Sequence, residues 1–280
     1  MTRIAFLDVD GTILEHGSLI APSTVTAIRQ ARANGHLVWL STGRSAGDIH
    51  PDVLAIGFDG AITNGGAYAT RDGETLVARP MPREDVDALE RYFQAHGIHY
   101  FLQTHDGVFA SDGMGPVMTA YRRERHAERA AQLAAEGLTA EEPLWNEPRP
   151  VSEVDRDAVA KAVFVSPSID TVVHAAEELG AAFHVIPGSI PLPGGSNGEI
   201  GQAGVTKGSA ILEVLAMLGL PATDAIGIGD SWNDVEMFEV VGTPVAMGNA
   251  VPELQKLAGR VTTSVLEDGV HNAFAELGLI

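Results

Sequence analysis

Cysteine is absent from this sequence of 280 residues. That excludes disulfides, thiolate zinc sites, iron–sulfur clusters and cysteine nucleophiles, and it leaves the redox compartment open. Lysine is nearly as scarce, with only Lys161, Lys207 and Lys256 in the whole chain. Lys and Arg together number 18 against 37 Asp and Glu, a formal net charge of −19. This is the wrong sign for holding a phosphate backbone by counterion release, so no nucleic-acid partner is expected. The same field repels small anions, so any phosphate chemistry must draw local positive charge from a metal, a Lys or an Arg. Long apolar runs are missing too: none approaches the roughly 18 residues of a membrane span, and Asp8 interrupts the first stretch before a signal-peptide core could form. No membrane association is expected, and the cytoplasm is the expected location.

What is present is 45% hydrophobic and 20% charged residues, the composition of a globular chain long enough for one large domain or two ordinary ones. Short β-type runs end in Gly, Asp, Ser or Thr clusters and lead into segments of helical period, which is the rhythm of a parallel α/β sheet. Arg3 to Val9 reads as the first strand, with a helix capped by Ser23 and stopped at Asn34-Gly35. His36 to Leu40 reads as a second strand with a helix from about Ser45, Gly60 to Thr63 as a third, and the runs around Tyr68 and Leu76 as a hairpin about Arg71-Asp72-Gly73.

Two prolines in Arg79 to Arg83 break this pattern. The next hundred residues alternate helices with antiparallel-looking strands, including a helix from about Glu84 to His96, a long helix near Val117 to Ala135 and a strand at Lys161 to Val165. The spacing predicts a separate α+β insert over residues 82–187, with a core formed by 1–81 and 188–280. Pro187 to Gly198 reads as the return linker, and β/α units resume with a helix at Thr206 to Leu218 and a strand at Ala225 to Gly229. Trp39, Phe6 and Phe164 are expected in the core. Arg122, Arg125 and Arg129 follow helical spacing, but Glu124 and Glu128 intersperse them as on a solvated face.

Asp8-Val9-Asp10-Gly11-Thr12 falls where the first strand ends. Residues i and i+2 of an extended segment face the same way, so both carboxylates are expected to converge at the ligand-binding edge of an open α/β sheet. An ionised carboxylate can attack phosphorus without a base if a cation shields its approach, and a second acid can protonate the leaving alcohol and then deprotonate water. Gly227-Ile228-Gly229-Asp230-Ser231-Trp232-Asn233-Asp234 repeats the geometry at another strand end. Asp8, the Asp10 backbone carbonyl and Asp230 would suit magnesium, which prefers few carboxylates plus waters and a substrate phosphate. Ser41-Thr42-Gly43-Arg44 could hold phosphoryl oxygens, and equally could be an ordinary capping turn. Lys207 stands at a helix start, where the macrodipole disfavours a cation, and a bridge between nucleophile and phosphate would explain it.

With these four segments in this order, the sequence resembles the haloacid dehalogenase-like hydrolases, specifically Cof-type members with a type IIB cap. Asn64-Gly65-Gly66, Ala246-Met247-Gly248-Asn249-Ala250 and Glu267-Asp268-Gly269-Val270 add to the likeness. The resemblance implies an α/β fold: a Rossmannoid core of parallel sheet flanked by helices, with an inserted α+β cap that sets substrate specificity. It implies Mg2+-dependent hydrolysis of small phosphate monoesters, most readily sugar phosphates, through an aspartyl phosphate on Asp8 with Asp10 as general acid/base. Thr42 and Lys207 would join them in catalysis, Thr42, Gly43, Lys207 and Asn233 would hold the phosphate, Arg44 and Asn64 would face the substrate, Asp8, Asp10 and Asp230 would bind the metal, and Asp234 would stand behind them. The segment Pro187 to Asn197 departs from relatives, which run more directly into the equivalent of Glu199-Ile200. The rival readings are a phosphomannomutase-like phosphomutase and a catalytically silent sugar-phosphate-binding regulator. The expected partner is a small phosphorylated metabolite, and the expected state a monomer or small homo-oligomer.

Overall fold

β1 (Ile4–Leu7) is buried at all four positions, as expected of a strand covered on both faces of a parallel sheet. In the computed structural model, which describes residues 2–15, 17–120, 123, 127, 130, 147–188 and 195–280, β1 lies in the middle of an eight-stranded sheet. The chain continues through β2 (Leu37–Ser41), β3 (Gly60–Thr63), β4 (Tyr68–Arg71) and β5 (Glu74–Ala78). It then leaves for a second sheet made of β6 (His99–Thr104), β7 (Val108–Ala110), β8 (Arg149–Pro150), β9 (Val159–Ser166), β10 (Phe183–Pro187) and β11 (Ser196–Gln202). It returns to the first sheet with β12 (Ala225–Gly229), β13 (Thr243–Ala246) and β14 (Arg260–Val261).

The first sheet has the order β14-β13-β12-β1-β2-β3-β4-β5. All neighbours are parallel as far as β3, and β4 and β5 add an antiparallel edge. The second has the order β10-β11-β9-β6-β7-β8 and is antiparallel apart from the short β7–β8 pair. The expected α/β core with an inserted α+β unit is therefore observed. Each sheet has its own apolar core: Phe6, Trp39, Ile28, Val214 and Phe274 in the first, Phe93, Leu102, Phe164 and Ile200 in the second. Among the described residues no helix is long and apolar enough to cross a membrane.

Several boundaries differ from expectation, each for a local reason. The first helix begins at Pro22, with Ala21 before it. Pro is preorganised for the first helical position, and Ser23 Oγ donates instead to Asp268 Oδ1 at 2.5 Å. The helix expected from Ser45 is a single 3-10 turn, Ala46–Asp48, followed by the four-residue helix Pro51–Leu54. Ser196–Gln202, expected on the core side of residue 188 with residues 196–198 in the return linker, is a strand of the second sheet paired with β9 and β10 on either side. The chain thus crosses back only after Gln202. The helix expected at Val117 to Ala135 is seen over residues 114–120. Most of its remainder, Arg122, Arg125 and Arg129 with Glu124 and Glu128, and residues 189–194 of the expected linker, lie outside the described residues.

The two sheets are joined at short range beyond the ends of β2, β3 and β5. Ala46 N donates to His105 O at 3.0 Å, Met81 N to Val159 O at 2.7 Å, and the Asn64 side-chain amide to Thr104 O at 3.0 Å.

Candidate active site

Asp8 follows β1 directly, and its N–H extends the parallel ladder to Ile228 O at 2.9 Å. The chain then turns sharply: the Thr12, Ile13 and Leu14 N–H groups all donate to Val9 O. Gly11 makes this possible with φ +77°, and a Cβ there would lie 2.2 Å from Asp230 Oδ2. Only glycine meets both demands. The strand ends before Asp10, yet Asp10 stays close enough for its charge to add to the upward shift of Asp8. Asp8 is buried, whereas the Asp10 side chain is 48% exposed and is gripped by Arg44 through two bonds of 2.7 Å. The role expected of Asp10 toward a metal belonged to its backbone carbonyl, so this pairing does not conflict with it.

Lys207 is the first residue of the helix Lys207–Leu218, behind a capping box made by Thr206 and Ser209. Its ammonium is buried and lies 2.8 Å from Asp8 Oδ1, 2.7 Å from Asp234 Oδ1 and 3.2 Å from Asn233 Oδ1. Burial pulls its pKa down, but Asp234 and Asp8 outweigh burial and hold it above the ordinary lysine value. The two carboxylates also outweigh the unfavourable helix terminus. Asp234 is fully engaged, since its other oxygen accepts the N–H groups of Asp230 and Ser231 at 3.0 and 3.2 Å. It fixes the loop after β12 and the lysine together.

Asp230 approaches Thr12 Oγ1 at 3.5 Å. One oxygen each from Asp8, Asp230 and Asp234 lie within 4.8 Å of one another. Burial, reinforced by the charge of Asp234, raises the Asp8 pKa to about 7 against the opposing pull of Lys207. Burial together with Asp8 and Asp234 raises Asp230 to about 9. Two buried carboxylates, Asp8 and Asp234, and the half-buried Asp230 facing one ammonium carry excess negative charge. A hard divalent cation matches this donor set and would relieve that excess, so the residues present fit the ion.

Thr42 directly follows β2 and is buried, and its hydroxyl accepts the Arg44 N–H at 3.1 Å. Asn64 N donates to Arg44 O at 2.8 Å and Gly65 N to Thr42 O at 3.0 Å, so the loops after β2 and β3 hold each other. Gly66, at φ +110°, brings the second loop against the lysine helix, where a Cβ would lie 2.0 Å from Thr206 O. Asn64 is buried and lines the cleft between the sheets with Lys207 and Asn233. Arg44, expected to face substrate, donates to Asp10 and to Asp48 O. The structure thus brings Asp8, Lys207, Asn233, Asp230 and Asp234 to one point, with Thr42, Gly43, Asn64 and the Asp10–Arg44 pair at its rim.

Residues not assigned from sequence also reach the site. Lys161 of β9, a cation in a strand that is otherwise apolar up to its terminal Ser166, donates to Gly43 O at 3.0 Å and pairs with Glu199. Its signal was its scarcity as one of three lysines together with its apolar strand. Asn249 Nδ2 donates to Gly11 O at 2.8 Å and its Oδ1 accepts the Val265 N–H, tying down the turn after Asp8.

Residues 5–274 match the sequence profile of the haloacid dehalogenase-like hydrolases. Over 289 residues the chain is 28% identical to the 5-amino-6-(5-phospho-D-ribitylamino)uracil phosphatase YwtE of Bacillus subtilis, covering 94% of each protein. Over 254 residues it is 27% identical to the pyridoxal phosphate phosphatase YbhA of Escherichia coli, covering 89% of each. The subclass IIB sugar phosphatase BT4131 superposes with a TM-score of 0.81 over the full length of both chains at 21% identity, a likeness of fold.

Proposed function

The chain belongs to the haloacid dehalogenase-like hydrolase family and is a phosphoric monoester hydrolase, and from that premise we propose that it is a cytoplasmic, Mg2+-dependent phosphatase of small organic phosphates, foremost sugar phosphates, acting through an aspartyl phosphate on Asp8. The observation that carries this reading is the buried Asp8 carboxylate at the end of the central strand, with Lys207 on one oxygen and Asp230 beside it. The names of YwtE and YbhA, which point to small phosphorylated organic compounds, support the substrate class.

In this reading Asp8 attacks phosphorus, the ester P–O bond breaks, and Asp10 gives a proton to the departing oxygen. Water then attacks the aspartyl phosphate and gives its proton to Asp10, releasing phosphate and restoring Asp8. Lys207 and Asn233 orient Asp8 and meet the phosphoryl oxygens, and the Thr42–Gly43 turn closes around them. Arg44 holds Asp10 at the rim, where a leaving group departs toward the cleft. Mg2+ held by Asp8, Asp230 and the Asp10 carbonyl would neutralise phosphoryl charge when bound. The inserted unit covers the site and would supply specificity.

The test is a panel of sugar phosphates, nucleotides, flavin mononucleotide and pyridoxal phosphate, assayed with Mg2+ and with EDTA. Hydrolysis restored by Mg2+ and strongest on sugar phosphates is expected. Full activity after exhaustive metal removal, or none on any ester, contradicts the reading.

A further inference from the structure

The second sheet presents one transverse row of side chains to the cleft. His184 of β10 pairs with Gly201 of β11, and Gly201 pairs with Lys161 of β9. Directly paired residues share a face, and Glu199, two residues before Gly201, shares it too. The face looks onto the first sheet: Lys161 Nζ reaches Gly43 O at 3.0 Å and Glu199 Oε2 at 2.5 Å, and His184 Nε2 lies 3.3 Å from Glu236 Oε1 on the helix Val235–Val240. Between them Gly201 leaves a gap, with no heavy atom closer than 3.9 Å to where its Cβ would stand.

Charge decides what this row can admit. Lys161 is 96% buried and already neutralised by Glu199. The other basic side chains lining the cleft among the described residues are matched as well: Lys207 is held by Asp8 and Asp234, and His184 faces Glu236. A second anionic group on the substrate would have to shed water in a cleft with no cation left to receive it. Asn64 also lines the cleft and is 97% buried, with its amide nitrogen fixed on Thr104 O.

We propose that Lys161, Glu199 and His184 form the leaving-group subsite, and that the Lys161–Glu199 pair is a charge filter that admits an uncharged leaving group and excludes one carrying a second anionic group. This rests on the phosphatase reading above. Glu199 is the deciding member, because without its carboxylate Lys161 becomes an uncompensated cation facing the leaving group. Monophosphates are then preferred to bisphosphates of the same sugar, a preference that opposes a mutase cycle dependent on a bisphosphate.

The test is a charge ladder in the full-length protein: wild type, Glu199→Gln, Lys161→Met and the double variant. For each, kcat/KM is measured on fructose 1,6-bisphosphate, fructose 6-phosphate and acetyl phosphate in Mg2+, alongside thermal unfolding. The bisphosphate-to-monophosphate ratio is taken within each variant, so a general loss of activity cancels. The ratio is expected to rise about tenfold or more in Glu199→Gln, to fall in Lys161→Met and to return near wild type in the double variant, following net charge. If Glu199→Gln does not fold, a fall in Lys161→Met that the double variant reverses supports the filter, and any other pattern in those two overturns it. A ratio that is constant across the series, or that tracks unfolding temperature and not charge, overturns the filter while acetyl phosphate hydrolysis keeps the phosphatase reading intact. A wild type inactive on acetyl phosphate overturns both.

Discussion

The Lys207 ammonium lies 2.8 Å from Asp8 Oδ1, joining positions 199 residues apart in a site where both side chains are almost completely buried. The helix that begins at Lys207 is thereby anchored to the end of the central strand. Removing one partner of a buried ion pair leaves the other uncompensated. Lys207→Met is expected to cost about 3–5 kcal/mol of stability at pH 8, with activity lost. Lys207 opposes the upward shift of Asp8, so its removal raises the Asp8 pKa further, and the stability lost is smaller at pH 5, where the carboxylate takes up a proton. Urea unfolding at the two pH values measures this, and equal losses at both would contradict it.

Metal binding and pH are linked through the same carboxylates. Asp8 is raised from 3.8 to about 7 and Asp230 from 3.8 to about 9. Between those limits the folded protein binds more protons than the unfolded chain, so stability falls as pH rises. In EDTA the unfolding temperature is expected to decline from pH 5 toward pH 9. Mg2+ should flatten the decline, with a stabilisation that grows with pH. Calorimetry at several pH values with and without Mg2+ gives the answer, and a Mg2+ effect largest at pH 5 would rule out the assignment.

Gly66 carries a packing prediction. At φ +110° and with Thr206 O 2.0 Å from the position of a Cβ, Gly66→Ala must displace either the Asn64 loop or the start of the Lys207 helix. A stability loss of about 2 kcal/mol or more is expected, together with a fall in kcat because Lys207 moves with its helix. Wild-type melting and turnover would show that the loop yields without consequence.

Asp10 should reveal its role through the leaving group. Asp10→Asn is expected to lower kcat on alkyl phosphates by about a hundredfold or more, and to lower it less on nitrophenyl phosphate, whose leaving group needs no proton. Equal losses on the two substrates would show that Asp10 does not transfer that proton.

The chemical segments were legible because each sits at a strand or helix end, where sequence and position coincide: Asp8 after Ile4–Leu7, Asp230 after Ala225–Gly229, and Lys207 as a rare lysine behind a capping threonine. The strand stops at Leu7 and the turn at Gly11 pairs Asp10 with Arg44, a partner that strand alternation alone could not reveal. Ser196–Gln202 (SNGEIGQ) has little intrinsic strand character and is made a strand by neighbours on both sides. Lys161 could be noticed but not placed, since its meeting with Gly43 depends on how the two sheets close on each other.

The central claim is that Asp8 carries the phosphoryl group. The most direct measurement is a rapid acid quench of Asp10→Asn with 32P-labelled acetyl phosphate and Mg2+, followed by peptide mapping. The account predicts a hydroxylamine-sensitive phosphoryl label on the peptide containing Asp8, absent from Asp8→Asn. Turnover by Asp8→Asn, or a label confined to another residue, would contradict it.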